Sequence, residues 1–326
     1  MEGHGKNRIA RDPIMANYLK ETGINAVNLA NNHTFDYGSE GFRQTLSTLE
    51  TVGVSYFGVR RDGQQQPFVL RIDGCNIGIL GYTIGGTEDV DIGSALLDEL
   101  QILKDIEDLR ARGVERMIIN LHWGEEYVAF PSPDQQRVAR QLIDSGADVI
   151  IGHHPHVVQG IERYKEGVIF YSLGNFNFIN SSNLDRLFPG TCWGLIALLR
   201  FSQSSPVEYS CIPVQIDDEY RPFLPPRNES EAFLEYLTRI SEPLEPEIEH
   251  SFWLREASWP HFRNHLPSFI RRIRKYGLSH LIQMVRWLIS PSNYGFYIGL
   301  IMKFASKFNR VDKSPECPRP LSQNAN

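Results

Sequence analysis

Cysteine is scarce: the 326 residues hold four, Cys75, Cys192, Cys211 and Cys317, widely spaced and with no Cys-x-x-Cys pair. That pattern argues against a thiolate zinc site and against a dense disulfide framework. For Cys192 and Cys211 two buried thiols are the expectation, with a bridge as the alternative. Long apolar runs are also missing. Leu281–Met302 is interrupted by Arg286, Pro291, Ser292 and Asn293, and a membrane-crossing helix needs about twenty apolar residues in a row. The opening MEGHGKNRIARDPI has no apolar core of the kind a signal peptide carries. A cytoplasmic or peripheral-membrane protein is therefore expected. There are no internal repeats and no long low-complexity tracts. Hydrophobic content of 41% and charged content of 22% are ordinary for a globular chain long enough to bury a full core.

Acidic residues are nearly absent from one region. Between Arg255 and Arg310 there are ten Lys/Arg and one Asp/Glu, and the last sixteen residues are balanced, so residues 1–254 carry −15 of a chain whose net charge is −6. A split of this kind places the two parts in different surroundings. The acidic body does not steer long polyanions toward itself.

What is present is an alternation of apolar β-rich runs with amphipathic helical stretches over residues 24–239. Asp12-Pro13 opens a helix that Gly23 ends. Ile24–Ala30 is a buried strand, and Phe42–Val52 a helix with Phe42, Leu46 and Leu49 on one face. Pro67–Ile72 and Asn76–Tyr82 form a hairpin about Asp73-Gly74. A helix over 97–112 carries Leu96, Leu100, Leu103 and Ile106 at helical spacing. Arg116–Leu121, Val149–Ile151 and Val168–Leu173 are further strands, with a Ser132-capped helix over 133–145. Trp193–Phe201 and Glu208–Val214 form a late antiparallel pair. Strands alternating with helices imply an α/β fold, and the late strands a second, mixed sheet. The expected division is an α/β domain over 1–221, a linker and helix over 222–254, a basic amphipathic helical region over 255–310 and a disordered tail over 311–326.

Several polar, metal-competent clusters directly follow apolar strands. NLA precedes Asn31-Asn32-His33, IINL precedes His122-Trp123-Gly124, VIIG precedes His153-His154-Pro155-His156, and YSL precedes Gly174-Asn175. In an α/β sheet the carboxyl ends of the strands share one edge, and ligands bind in the crevice there. Imidazole with amide or carboxylate oxygen suits zinc, manganese or iron rather than a soft copper site. Taken singly, His122 also reads as an ordinary surface histidine, and Asn32 and Asn175 as turn residues; three histidines within four residues are harder to account for that way.

The strings LANNHTFDYG (29–38), LHWGEEY (121–127), IIGHHPHVVQGIE (150–162) and SLGNFNF (172–178) resemble, in this order, those of the CapA family of capsule and poly-γ-glutamate synthesis proteins, within the calcineurin-like metallophosphoesterases. The resemblance spans roughly residues 10–215. It implies a four-layer αββα sandwich, N-terminally incomplete, with a C-terminal helical extension. It implies one or two divalent ions (Mn, Zn or Fe) held by Asn32, His122, His154 and His156, with His33 as the proton donor to the leaving group. His153 and Asn175 would line the site, and Asp36 and Glu126 would orient the histidines by hydrogen bonding. The metals would acidify a bound water to a pKa of about 7, and an imidazole, titrating near about 6.5, suits the acid role.

Family members also open with a strand ending in Gly-Asp, which supplies a metal carboxylate, and a second ending in Asn-Leu-Glu. This chain shows neither, so a truncated start is the expectation, with one weakly bound metal or no metal as the alternatives. Two functions follow: a metal-dependent hydrolase of capsule or poly-γ-glutamate biosynthesis acting on an acidic polymer or phosphoester, or a non-catalytic assembly or anchoring partner that keeps the fold. Residues 262–310 set Ile270, Ile273, Leu278, Leu281, Ile282, Val285 and Leu288 against Arg271, Arg272, Arg274 and Lys275. They read either as helices packed on the body with a basic outer face or as interfacial helices on an anionic membrane. No nucleic-acid module is visible, and no nucleic-acid partner is expected.

Overall fold

The structure is a computed structural model that describes residues 9–86, 91–178, 185, 188–202, 205–245, 247–309 and 314–319. The Asp12 carboxylate accepts a 3.0 Å bond from the Ile14 backbone N–H just ahead of α1 (Met15–Glu21). β1 (Ala26–Asn28) then runs to α2 (Gly38–Val52), which buries Phe42, Leu46 and Leu49 as their spacing predicts. β2 (Ser55–Phe57) pairs parallel with β1, and β3 (Val59–Arg61) pairs antiparallel with β4 (Gln64–Gln66). β5 (Phe68–Ile72) and β6 (Cys75–Thr83) form the expected hairpin, with Asp73 and Gly74 both at positive φ. That is the geometry of a turn whose twist matches the strands. β7 (Ile92–Ser94) returns to β3.

α3 (Glu99–Ala111) departs from expectation in its face. It buries Ile102, Ile106 and Leu109, whereas Leu100 is 73% exposed. Leu96 precedes the helix and makes a bridge to Thr83, so it sets no helical phase. β8 (Arg116–His122) follows, then α4 (Pro133–Asp144). Ser132 and Gln135 cap α4 reciprocally through side chain and backbone, which satisfies two otherwise orphaned N–H groups. β9 (Val149–His153), β10 (Ile161–Tyr164) and β11 (Gly167–Phe170) complete the main strands. β12 (Trp193–Arg200), β13 (Glu208–Ile216) and β14 (Pro222–Phe223) make a separate antiparallel sheet. Four helices close the chain: α5 (Arg227–Ser241), α6 (His250–Tyr276), α7 (Leu278–Leu288) and α8 (Tyr294–Asn309).

The large sheet has the order β10-β11-β9-β8-β6-β5, with β11, β9, β8 and β6 parallel and the two edges antiparallel. Its strands alternate faces, as a period of two requires. Met117, Ile119, Leu121, Ile150, Ile169 and Tyr171 join Ile102 and Ile106 of α3, Val138 and Leu142 of α4, and Phe233 and Ile240 of α5 in one core. Ile118, Val149, Val168 and Phe170 point the other way, against Ala197, Leu199 and Cys211 of β12 and β13. The result is mixed α/β, with helices over one face of the large sheet and a second sheet over the other.

The stretch expected as a linker is held to this body. Leu244 and Ile248 are buried, and the Gln136 amide donates to the Leu244 carbonyl and accepts from the Ile248 N–H. α5 docks through Phe233, whose ring stacks on Trp193 at 4.3 Å. Part of the expected disordered tail is likewise packed: Trp193 Nε1 donates to the Pro318 carbonyl at 2.9 Å, and Cys317 lies against the core. An indole N–H left buried without a partner would be costly, and residues 314–319 supply that partner. The remainder of the tail, 311–313 and 320–326, lies outside the described residues. All four cysteines are free, Cys75 and Cys192 buried.

α8 packs closely on α6. A Cβ at Gly299 would stand 2.1 Å from Ser258 Oγ and 2.2 Å from the Leu254 carbonyl oxygen, so glycine permits the approach. Ile282 and Val285 of α7 and Ile298, Ile301 and Phe304 of α8 are exposed. Of the aliphatic stripe read either as packed on the body or as facing a membrane, Ile270, Leu281, Ile282 and Val285 are thus exposed. Among the described residues, no helix is long and apolar enough to cross a membrane.

Truncating Phe233 to alanine should cost about 3–5 kcal/mol, the usual loss for a fully buried phenylalanine. Urea unfolding followed by tryptophan fluorescence reads this directly, because Trp193 is the stacking partner.

Candidate functional site

Parallel pairing of β6, β8 and β9 sets Thr83 opposite His122 and His122 opposite His153. The histidines at two strand ends are therefore neighbours by register. The loop after β1 reaches the same edge: Asn32 Oδ1 lies 3.0 Å from His122 Nε2. The His122 ring is 4.7 Å from that of His154, and His154 is 6.2 Å from His156. Asn175 arrives from the segment after β11 and lies 2.9 Å from His156 Nδ1 through its Oδ1. Its amide nitrogen donates to the carbonyls of His156 and Thr191. The amide orientation is thereby fixed, so His156 Nδ1 must carry the hydrogen and Nε2 presents its lone pair.

His33 Nδ1 lies 2.9 Å from Asp36 Oδ2, and that nearly buried carboxylate also accepts from the Ile9 N–H. Held this way, His33 keeps Nε2 free while remaining more than a third exposed. Glu126 accepts a 2.6 Å bond from Asn264 of α6, so its visible partner is an asparagine rather than a histidine. Its charge nonetheless acts on His154. The sites named from sequence are thus gathered: Asn32, His122, His153, His154 and His156 meet at the strand ends, Asn175 stands behind His156, and Asp36 stands behind His33.

Burial dominates the electrostatics. It pushes His122 down to about 2, helped by the neighbouring histidines His154, His153, His156 and His33. It alone pushes His153 down to about 4. His154 is lowered by burial as well, against the opposing pull of Glu126 and Glu125. These imidazoles are neutral at physiological pH and offer lone pairs. His154 Nδ1 is buried without a hydrogen-bond partner, and both His154 and His156 have positive φ, 102° and 60°. Backbone strain at non-glycine residues costs about 1–3 kcal/mol each and gathers at functional sites.

Gly152 sets the approach of this segment. A Cβ there would stand 1.8 Å from the Tyr171 carbonyl oxygen and 2.8 Å from Trp123 Nε1, so only glycine lets β9 lie that close to the β11 exit.

The reading from sequence missed a group on the other side of the HWGEEY loop. Glu125, His261 and His265 bring their donor atoms within 4.8 Å of one another, the one such group of His, Cys, Asp or Glu among the described residues. Its signal lay in HFRNH, where two histidines four apart share a helix face, inside a segment whose basic residues drew the reading instead.

A family model described as "Bacterial capsule synthesis protein PGA_cap" matches residues 2–180. The chain belongs to this family. It is similar to the capsule biosynthesis protein CapA of Bacillus anthracis, 37% identical over 49% of this chain and 41% of that protein. It is also similar to the PGA biosynthesis protein CapA of Bacillus subtilis, 35% identical over 49% of this chain and 44% of that one. The chain thus spans less than half the length of these relatives. Among solved structures it is similar to a 5′-nucleotidase precursor from Thermus thermophilus, 18% identical with a TM-score of 0.44, over 64% of this chain and 42% of that one.

Two outcomes test the site's construction. Gly152→Ala should unfold β9 or displace the histidine segment, losing several kcal/mol in urea titration. In chelator, stability should fall as pH drops below about 6.5: the unfolded chain takes up protons there, while His122 and His153 stay neutral toward about 2 and about 4. Between pH 6.5 and 5 each contributes up to about 2 kcal/mol of loss, and His122→Asn should flatten that slope.

Proposed function

We propose that this PGA_cap protein is a metal-dependent hydrolase-like component of capsule or poly-γ-glutamate biosynthesis, with the strand-end cluster as its active site. The observation that carries this reading is the orphaned Nδ1 of His154, buried among imidazoles that are kept neutral. A buried ring nitrogen without a partner loses stability unless something binds it, and a neutral imidazole is a ready metal ligand. The donor set of Asn32, His122, His154 and His156 suits zinc, manganese or iron, and the carboxylates of Glu125 and Glu126 act on His154 to offset cationic charge. When bound, such an ion polarises a substrate oxygen and acidifies a water.

The remaining work falls to the chain's own groups. Asn175 keeps the His156 lone pair at Nε2. Asp36 keeps the proton of His33 at Nδ1 in the neutral ring, and Nε2, once protonated, hands its proton to the leaving oxygen. The substrate is an acidic polymer or phosphoester, recognised locally, because the −15 body repels long polyanions at a distance.

Elemental analysis of the purified chain should find zinc, manganese or iron, with about one equivalent fewer in His156→Ala and with strand-end binding weakened about 10- to 100-fold in Asn175→Ala. Hydrolysis of a chromogenic phosphodiester should require that metal and fall about 100-fold in His33→Ala. Metal content equal in wild type and His156→Ala overturns the reading.

A second reading rests on the exposed apolar side chains of Ile282, Val285, Ile298, Ile301 and Phe304, which lie in the region of net charge +9. In this reading the chain anchors or assembles polymer at an anionic membrane surface. Cosedimentation with phosphatidylglycerol vesicles, weakened by salt and by Ile298→Glu/Ile301→Glu, supports it; equal binding to neutral vesicles counts against it.

A further inference from the structure

Helix α6 meets the loop after β8 through polar contacts, one of them inside an aromatic shell. His261 is stacked on Phe296 at 3.9 Å and packed near Trp287, with its Nδ1 2.7 Å from Glu125 Oε1 and its Nε2 3.0 Å from Asn293 Oδ1. The Asn293 amide nitrogen donates to the Trp287 carbonyl at 2.6 Å. Its oxygen is therefore the end that faces His261, and Nε2 must be the donor. A neutral His261 then turns a lone pair at Nδ1 toward a carboxylate oxygen. Two acceptors at 2.7 Å repel unless a positive centre joins them. His265, one helical turn along α6, brings Nε2 to 3.9 Å from the same oxygen.

We propose that Glu125, His261 and His265 form a divalent-metal site of the zinc class that pins α6 to the loop following β8. Two imidazoles and one carboxylate are an established zinc donor set, with bonds of about 2.0–2.2 Å. Donors sharing one tetrahedral ion stand about 3.4 Å apart, against 2.7 Å and 3.9 Å from Glu125 Oε1 to His261 and His265 in a group bounded by 4.8 Å, so closure needs side-chain movements of about 1–1.5 Å. The Nε2–H of His261 on Asn293 is the outer hydrogen bond that orients a metal-bound imidazole. Glu125 stands beside Glu126, and Glu126 accepts from Asn264 on the same helix face, so an ion here would add a second tie from α6 to the HWGEEY loop. The site shares no donor with the strand-end cluster, and the proposal stands whether or not that cluster is catalytic.

Cobalt is the probe, added to the full chain carrying His156→Ala so that the strand-end donors are disabled. Visible ligand-field absorption should saturate at one equivalent, and Co2+ should raise the melting temperature. Adding Glu125→Gln or His265→Asn, with folding checked by circular dichroism, should weaken Co2+ binding at least about tenfold and abolish the melting shift. Absorption unchanged by both substitutions overturns the proposal. So does a melting temperature that depends on pH and not on Co2+, because the positive centre at Nδ1 would then be a proton.

Discussion

Everything at the candidate site depends on the register between β8 and β9. Seven residues of apolar β8 pair parallel with β6 on one side, and its last five pair with β9 on the other. That pairing alone sets His122 opposite His153. A slip of one residue would turn every side chain to the other face, placing Ile119 and Leu121 where Ile118 and Asn120 stand. Burial on both faces makes such a slip expensive, since each strand feeds the helix-covered core and the sheet-covered core at once. The edge histidines are thus located by residues that carry no chemistry.

Once the register is fixed, the polar groups follow by local constraint. The glycine at 152 permits the exit of β9 to lie against the Tyr171 carbonyl, and the chain then turns through two histidines at positive φ. Asn175, in the segment after β11, makes two hydrogen bonds to His156 of the turn and a third to the Thr191 carbonyl, all through one amide. The same burial that makes the strands rigid strips solvent from His122, His153 and His154, and so holds them neutral. Packing and ligand chemistry here have one cause.

The sequence made the strands, the hairpin at Asp73-Gly74 and the capped α4 legible, because each is specified by local pattern. It also made legible the convergence of Asn32, His122, His154 and His156, because a parallel sheet puts all strand ends on one edge. What it hid depended on contacts between distant segments. Leu100 looked like core from its spacing, but only the bridge of Leu96 to Thr83 reveals that the helix starts later. The short strands β3, β4 and β7 carry too few residues to show a period. The Pro/Glu stretch before α6 looked like a linker, and its role lies in Leu244 and Ile248 meeting Gln136 from more than a hundred residues away.

Glu126 shows the same limit within the site. Its place in HWGEEY suggested a partner among the histidines, yet its hydrogen bond goes to Asn264, 138 residues on. The adjacent Glu125 is engaged by His261. The loop that follows the central strand is thus held at one end by the register of β8 and along its acidic pair by α6. A helix read from sequence as a basic appendage is in fact part of what sets the electrostatics of His154, because the carboxylates it grips are those that act on that ring. Moving α6 would free Glu125 and Glu126 to reorient and would change the charge beside His154 without touching any strand-end donor. The body and the C-terminal helices are coupled by charge at this loop, whichever cation or proton completes the contact.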